Sequence, residues 1–439
     1  MKLAPYPEYK DSGVPWLGKI PAHWELHRGK WLFRKMERPV RSQDEVVTCF
    51  RDGTVTLRKN RRIRGFTESL KEIGYQGIRK GDLVIHQMDA FAGAVGVSDS
   101  DGKGTPVYSV CLPKRDLDTH YYAQLVREMS RSYFITSLAK GIRERSTDFR
   151  FDTFASLTLP VPLPEEQKAI SRFMRNESAQ INKFIRNKRR LIELLKEQKQ
   201  NVINQAVTRG LDPKVKFKPS GVEWIGDIPE HWEVRRLKFL CHNLNEQTSE
   251  KQPGETYIAL EHVESWTGRI SLPDDEITFD SQVKRFQPGD VLFGKLRPYL
   301  AKVTRPQTAG VCVGEFLVLR ATGDVSADFL EQKLRSKRVI DLINSSTFGA
   351  KMPRADWTFI GNLKFAYPPA DEQREILEHI QEKSAEIDQT ITRAQREIEL
   401  MREYRTRLIS DVVTGQVDVR NMKCEGGSLN EDEFEDIEE

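Results

Sequence analysis

The chain has 439 residues, 38% hydrophobic and 31% charged, enough for two or three domains with a core in each. No run approaches eighteen apolar residues and the opening MKLAPYPEYKDSG lacks the apolar segment of a signal peptide, so a cytoplasmic protein with no membrane span is expected. Formal net charge is +4, but residues 425–439 hold eight acids and no bases, which leaves +12 on residues 1–424 and favours a polyanionic partner.

Residues 13–32, GVPWLGKIPAHWELHRGKWL, return as residues 221–240, GVEWIGDIPEHWEVRRLKFL, with twelve of twenty positions identical. Pro and Gly mark a turn, the paired tryptophans supply apolar anchors, and the segment reads as a small docking element. Gly13 to Lys19 fits the spacing GxxxxGK of a phosphate-binding loop, but Ile20 follows the lysine, Pro21 breaks any helix, and the second copy has Asp227 for Lys19. His23 and His231 show no metal-ligand spacing and are expected to be structural. The five cysteines lie far apart, without a CxxC pair, and no metal site is expected.

Residues 34–160 read as a mixed body with a curved sheet, built on short runs such as VVTCF, TVTL and DLVIH, with one helix over Thr119–Leu138. Arg58 to Arg64, RKNRRIR, is either a solvated loop or a phosphate-contacting one; Lys59, Arg61, Arg62 and Arg64 are its candidates. The Gly-rich stretch from Gln87 to Gly104 predicts close backbone approach to a ligand, with Gln87 and Lys103 as candidates. Arg143, Arg145 and Arg150 follow in GIRERSTDFR, a composition suited to phosphate and guanine contacts alike.

From Glu165 to Arg209 the chain runs forty-five residues without Gly or Pro, with apolar residues at Ile170, Met174, Ile181, Ile185, Ile192, Leu195, Ile203 and Val207. This spacing predicts one helix about 65 Å long. Its single apolar stripe calls for one partner helix. Glu372 to Thr414 supplies it: a shift of 206 places Ile376, Ile380, Ile387, Ile391, Ile398, Met401, Ile409 and Val413 on the same eight positions, flanked by Pro162 and Pro368, Glu166-Gln167 and Glu372-Gln373. The intervening body, about 241–365, repeats the plan: Gly289 to Phe293 matches Gly81 to Ile85, after which the loops diverge. Lys295, Arg297, Tyr299 and Lys302 in GKLRPYLAKV, then Lys351 and Arg354 in SSTFGAKMPRADW, are its candidates. One helix carries the chain from body one to body two and the other carries it back, which predicts antiparallel helices and approximate two-fold symmetry. On B-DNA such a pair would address two inverted half-sites about 34 Å apart.

The segments GVEWIGDIPEHWEV, YIALEHVESWTG, GDVLFGKLRPYLAKV, GDLVIHQMDAFAGAVGVSD and the proline-rich entries to the long helices together resemble the specificity subunit of type I restriction-modification systems, over about residues 5–420. The resemblance implies an α+β fold: two α/β target-recognition domains with curved sheets, separated by two long antiparallel helices in a coiled coil. The expected division is 1–160, target-recognition domain one; 161–210, central helix; 211–367, domain two; 368–420, C-terminal helix; and 421–439, a disordered acidic tail. It also implies a non-catalytic subunit that reads one half of a bipartite asymmetric sequence of double-stranded DNA with each domain. Its partners are then two methyltransferase subunits and the restriction subunits, which carry S-adenosylmethionine, ATP and magnesium, with no cofactor on this chain. The motifs agree: no NPPY-type or DPPY-type tetrapeptide is present, and Tyr367-Pro368-Pro369-Ala370 lacks the amide or carboxylate before the prolines. Two readings compete, a scaffold built on the helix pair and a self-sufficient nuclease or methyltransferase. The basic body and duplicated variable loops count against the first, and the missing motifs against the second.

Overall fold

The computed structural model describes residues 4–61, 73–138, 148–273, 282–349 and 351–422. Contacts divide the chain into two units: one holds residues up to Lys188 together with those from Arg396 onward, and the other runs from Arg189 to Gln395. No helix is long and apolar enough to cross a membrane among the described residues.

The first unit opens on a hairpin of Tyr9–Asp11 and Lys19–Pro21, so Lys19 begins a strand, and the GxxxxGK spacing is the loop of a hairpin. Its main sheet is antiparallel, in the order Phe33–Met36, Tyr108–Pro113, Leu83–His86, Val95–Val97. The strands are apolar on both faces because both are covered. Leu83 and Ile85 point into the core that contains Tyr122, Leu125, Val126 and Met129 of the helix Thr119–Arg131, while Val84 and Val110 point into a second core with Val47, Cys49, Val55 and Ile78. Asp118 caps that helix, accepting from the amides of His120 and Tyr121. The helix stops earlier than the expected Leu138. Ser130 donates its hydroxyl to the carbonyl of Ala90, the chain turns left-handed at Tyr133 (φ 58°), and only a short turn, Phe134–Ser137, follows.

The second unit repeats this sheet as Cys241–Leu244, Phe316–Ala321, Val291–Gly294, Val303–Thr304. Register is kept residue for residue. Val110 faces Met36 and Cys111 faces Leu83, as Val318 faces Leu244 and Leu319 faces Val291, all on an offset of 208. The strands Glu25–Arg28 with Thr158–Val161 recur as Glu233–Arg236 with Lys364–Tyr367, the later member now offset by 206. The second copy is therefore two residues shorter between the sheet and the long helix, which reconciles the two repeat offsets in the sequence.

The long helices span Pro164–Arg209 and Ala370–Val413 and run antiparallel where they pack. In the first unit Ile170 and Met174 share a core with Leu408, Ile409, Val412 and Val413, Asn182 accepts from Arg405 at 2.9 Å, and Lys188 pairs with Glu397 at 2.5 Å. In the second, Ile203 and Val207 share a core with Ile376 and Ile380, and Lys199 pairs with Asp388 at 2.7 Å. Ile181, Ile185, Ile387, Ile391 and Ile398 are buried, whereas Ile192, Leu195 and Met401 are only half-buried. The second helix ends at Val413, short of residue 420: Asp418 donates its amide to the carbonyl of Ala4, and Gln416 donates to that of Lys19.

A carboxylate in the first turn of each long helix ties it to its Trp-containing turn. Glu166, whose side chain is 2% exposed, accepts from Tyr6 Oη at 2.5 Å and Trp24 Nε1 at 3.0 Å and bonds His23 Nε2 at 2.9 Å. Glu372 repeats this with His231 at 2.6 Å and Trp232 at 3.1 Å, but is more exposed. The histidines are thus structural. The adjacent glutamines extend the tie: Gln167 accepts from the Asp118 amide and donates to Pro162 O, and Gln373 accepts from the Ser326 amide and donates to Pro368 O and Asp324 O.

At the far end of each helix a late carbonyl is capped from the sheet-containing body. Tyr121 Oη donates to Val413 O at 3.1 Å in the first unit; in the second, the buried Lys333 Nζ donates to Val207 O beneath the Trp232 ring. Burial pushes the Lys333 pKa down to about 7.

Two outcomes follow from these contacts. Glu166→Ala strands buried donors on Tyr6 and Trp24 and should destabilise the first unit by about 3 kcal/mol, against roughly 1 kcal/mol for Glu372→Ala in the second. Hydrogen exchange in the strands 25–28 and 233–236 during urea unfolding checks the difference. Between pH 7 and about 10 the unfolded chain holds a proton on Lys333 that the folded one lacks, so the stability of the second unit should rise with pH across that window. Lys333→Met should flatten the rise, measured by denaturant midpoints at pH 7 and pH 10.

Candidate nucleic-acid interface

In each unit three segments meet at the end of the sheet strand Leu83–His86 or Val291–Gly294. In the first, Gln87 donates its amide to Val107 O at 2.9 Å and accepts on its carbonyl from the Phe149 amide at 3.0 Å. In the second, Lys295 donates to Glu315 O at 2.9 Å and accepts from the Ala355 amide at 2.9 Å. Gln87 and Lys295 therefore occupy one framework position, fixed by the same two backbone bonds. Arg150 follows Phe149, and Arg354 precedes Ala355, so the structure brings Gln87 beside Arg150 in one unit. In the other it brings Lys295, Arg297 and Tyr299 beside Arg354, in the loop that also carries the exposed Lys351.

The second junction holds strained backbone. Arg297 (φ 50°) and Ala301 (φ 47°) are both left-handed and bracket a tight turn, Pro298–Leu300, that leaves the Tyr299 ring exposed. Each such non-glycine residue costs about 1–3 kcal/mol, so the conformation persists only because surrounding contacts impose it. Those contacts are visible: Arg297 donates its amide to Pro353 O at 2.8 Å, and Leu296 bridges to Arg354. Arg297 has no carboxylate at ion-pair distance among the described residues. Lys302 behaves differently, its ammonium turned inward onto Leu260 O at 2.7 Å.

Most other candidate cations are held by carboxylates. Arg354 pairs with Glu315 at 3.0 Å, Arg150 with Asp148 at 2.7 Å and Lys59 with Glu45 at 2.5 Å. Arg61 is paired with Asp52 and lies over the Phe50 ring at 4.6 Å. Lys103 donates its amide to Glu45 O, which gathers Lys59 and Lys103 around Glu45 at the edge of the first body. Gln87 turns its side-chain amide onto Ser109 Oγ at 3.3 Å. Arg62, Arg64, Arg143, Arg145 and the acidic tail from residue 423 lie outside the described residues.

The Gly-rich stretch is not the open cradle its composition predicts. A Cβ on Gly96 would stand 1.9 Å from Gly53 O, and one on Gly102 would stand 2.4 Å from Glu45 O. These glycines let the first body's own strands approach each other. Glu315, and the Asp89 that pairs with Arg51 at 3.0 Å, carry no signal in the sequence, where nothing links residues so far apart.

No family model matches. The chain is 22% identical over 252 residues to the type I restriction enzyme EcoDI specificity subunit of Escherichia coli, which covers 53% of this chain and 56% of that protein, little more than half its length. It is 20% identical over 430 residues to a putative type I restriction enzyme MjaX specificity subunit of Methanocaldococcus jannaschii, covering 92% of this chain and 96% of that one. The fold matches the HsdS subunit of Thermoanaerobacter tengcongensis with a TM-score of 0.53 and 16% identity, over 91% of this chain and 97% of that chain. A chain from a structure of the assembly and conformational transition of the type I R-M system matches with a TM-score of 0.61 and 15% identity, over 91% and 99%. The chain is similar in sequence and fold to type I restriction enzyme specificity subunits. The likeness in fold accounts for the paired sheets and helices.

A junction that meets phosphate through Lys295 and Arg297 should bind duplex DNA more weakly when both become alanine in the assembled complex. The slope of log affinity against log salt should fall by about 1 for each phosphate no longer neutralised. Fluorescence anisotropy across a salt series measures it.

Proposed function

We propose that this chain is the DNA sequence-specificity subunit of a type I restriction-modification complex and is itself non-catalytic. Each recognition body reads one half of a bipartite, asymmetric double-stranded target. The helix pair docks two methyltransferase subunits and supports recruitment of the restriction subunits; S-adenosylmethionine, ATP and magnesium are carried by these partner subunits. One observation carries the reading: two bodies share strand register and junction backbone residue for residue, yet present Gln87 with Arg150 in one and Lys295, Arg297, Tyr299, Lys351 and Arg354 in the other. A repeated framework with divergent tips fits two readers of different sequences. The chemistry fits the division of labour at DNA, in which Lys and Arg hold phosphates while arginine forks and amides read base edges. Ion pairs such as Arg354 with Glu315 are exposed, contribute little as they stand, and so can be exchanged for phosphate at small cost.

Genome-wide adenine methylation in cells carrying the chain with its cognate methyltransferase, set against cells lacking only this chain, tests the reading. Loss of one bipartite motif is the expected result. Substituting Lys351 and Arg354 by alanine should relax or weaken only one half of that motif, by about 1–3 kcal/mol for each base no longer read. An unchanged motif set, with the complex shown to assemble, would sink the proposal.

A further inference from the structure

Two exposed aromatic residues stand at matching positions of the repeat. The one-turn helix Gly29–Leu32 buries Gly29 and Leu32 and turns Lys30 and Trp31 outward; Leu237–Leu240 buries Leu237 and Leu240 and turns Lys238 and Phe239 outward. Trp31 is 64% exposed and Phe239 60%. Side chains this large are not left in water by a lack of structure around them. Each platform is fixed by a matching backbone bond, the Gly29 amide to Leu157 O and the Leu237 amide to Leu363 O, both at 2.8 Å. In each a lysine ammonium lies over the ring, Lys30 at 5.3 Å from the Trp31 centroid and Lys238 at 5.5 Å from that of Phe239.

The charge around the rings repeats as well. Arg28 and Lys30 in the first unit correspond to Arg236 and Lys238 in the second, and all four are exposed. Lys114, through its bond to Lys30 O at 2.7 Å, and Lys364, the strand partner of Arg236, add a further cation to each. Among the described residues none of these six is held by a carboxylate at ion-pair distance, unlike Lys59, Arg61, Arg150 and Arg354 at the candidate DNA interface. An exposed aromatic on a rigid platform, with a lysine over the ring and further cations close by in the fold that no carboxylate holds, is the composition of an interface anchor. It calls for an apolar recess edged by Asp or Glu. Because the pattern is kept in both copies while the junction loops diverge, the occupant presents the same surface twice; a phosphate backbone would do so too, but it offers nothing apolar to cover Trp31 and Phe239, which favours a protein.

We propose that Trp31 and Phe239, outside the helix pair, anchor two equivalent further docking surfaces, each of which contacts one copy of the methyltransferase subunit through an acid-rimmed apolar recess. The choice of occupant rests on the function proposed above. The test uses the full chain and the cognate methyltransferase subunit without DNA, with native mass spectrometry for stoichiometry and calorimetry for affinity. Wild type should bind two copies. Trp31→Ala or Phe239→Ala should weaken one of the two by tenfold or more, the double variant should weaken both, and Lys30→Glu with Lys238→Glu should reproduce the loss. Both rings are exposed, so thermal unfolding should not move. Two copies bound with unchanged affinity by the double variant would overturn the inference and leave the function standing. Normal binding with a loss of salt-sensitive duplex affinity would overturn it in favour of a nucleic-acid contact. A wild-type chain that binds no methyltransferase subunit would overturn both.

Discussion

The fold depends on a carboxylate placed inside the first turn of a helix. Glu166 is almost wholly buried, a position that would be costly for an isolated charge, yet it meets two hydrogen-bond donors and a histidine at the positive end of a 46-residue helix. The contact joins Tyr6, the His23-Trp24 turn and the long helix at one point. Gln167 then carries the connection to the cap of the helix Thr119–Arg131, and through that helix to the sheet. Two consecutive side chains therefore orient a sheet-containing body on its own stretch of long helix, and Glu372 with Gln373 does the same in the second unit. Loops at the far end of the sheet can then change freely, because nothing in this clamp involves them.

The junction shows how far that freedom extends. Gln87 and Lys295 differ in size, charge and chemistry, but each is held through its main chain, donating and accepting one backbone bond. Side chains are not needed to keep the position, so they are available to change what it contacts. At Arg297 and Ala301 the second body goes further and holds left-handed backbone at two residues that carry Cβ atoms. The bonds of Arg297 to Pro353 and of Ala355 to Lys295 come from a different loop, so the strain is sustained by the junction as a whole.

Local repetition makes the frame legible in the sequence. The duplicated Trp-His-Trp segment, the eight matched stripe positions and the Glu-Gln flanks lie within short windows that share an offset, and they carry the helices and the two-body plan. What the residues of those flanks do is not legible, since Glu166 meets its partners some 140 residues away. Glycine content misleads for a physical reason: Gly96 and Gly102 leave room for carbonyls of the chain itself, and a ligand cradle would have the same composition. Sequence extends the helix from Thr119 too far because its polar end, SRSY, has no Pro or Gly, while the break comes from Ser130 bonding to Ala90 and a left-handed Tyr133. Among candidate cations, the inward turn of Lys302 onto Leu260 O has no sequence signal.

Charge is distributed in two ways on this surface, and the difference bears on how it is used. At the two junctions, Arg150 and Arg354 stand with carboxylates, so net potential there is low until a stronger anion displaces them. A phosphate offers an arginine the same forked geometry with more charge, and the displaced carboxylate returns to water, so the exchange costs little and depends on salt. Around Trp31 and Phe239 the cations are unpaired and the apolar anchor is already presented. Such a surface has less to exchange before contact and pays mainly for removing water from the ring. One arrangement suits a ligand that must be sampled and released along many sequences, the other a partner that stays.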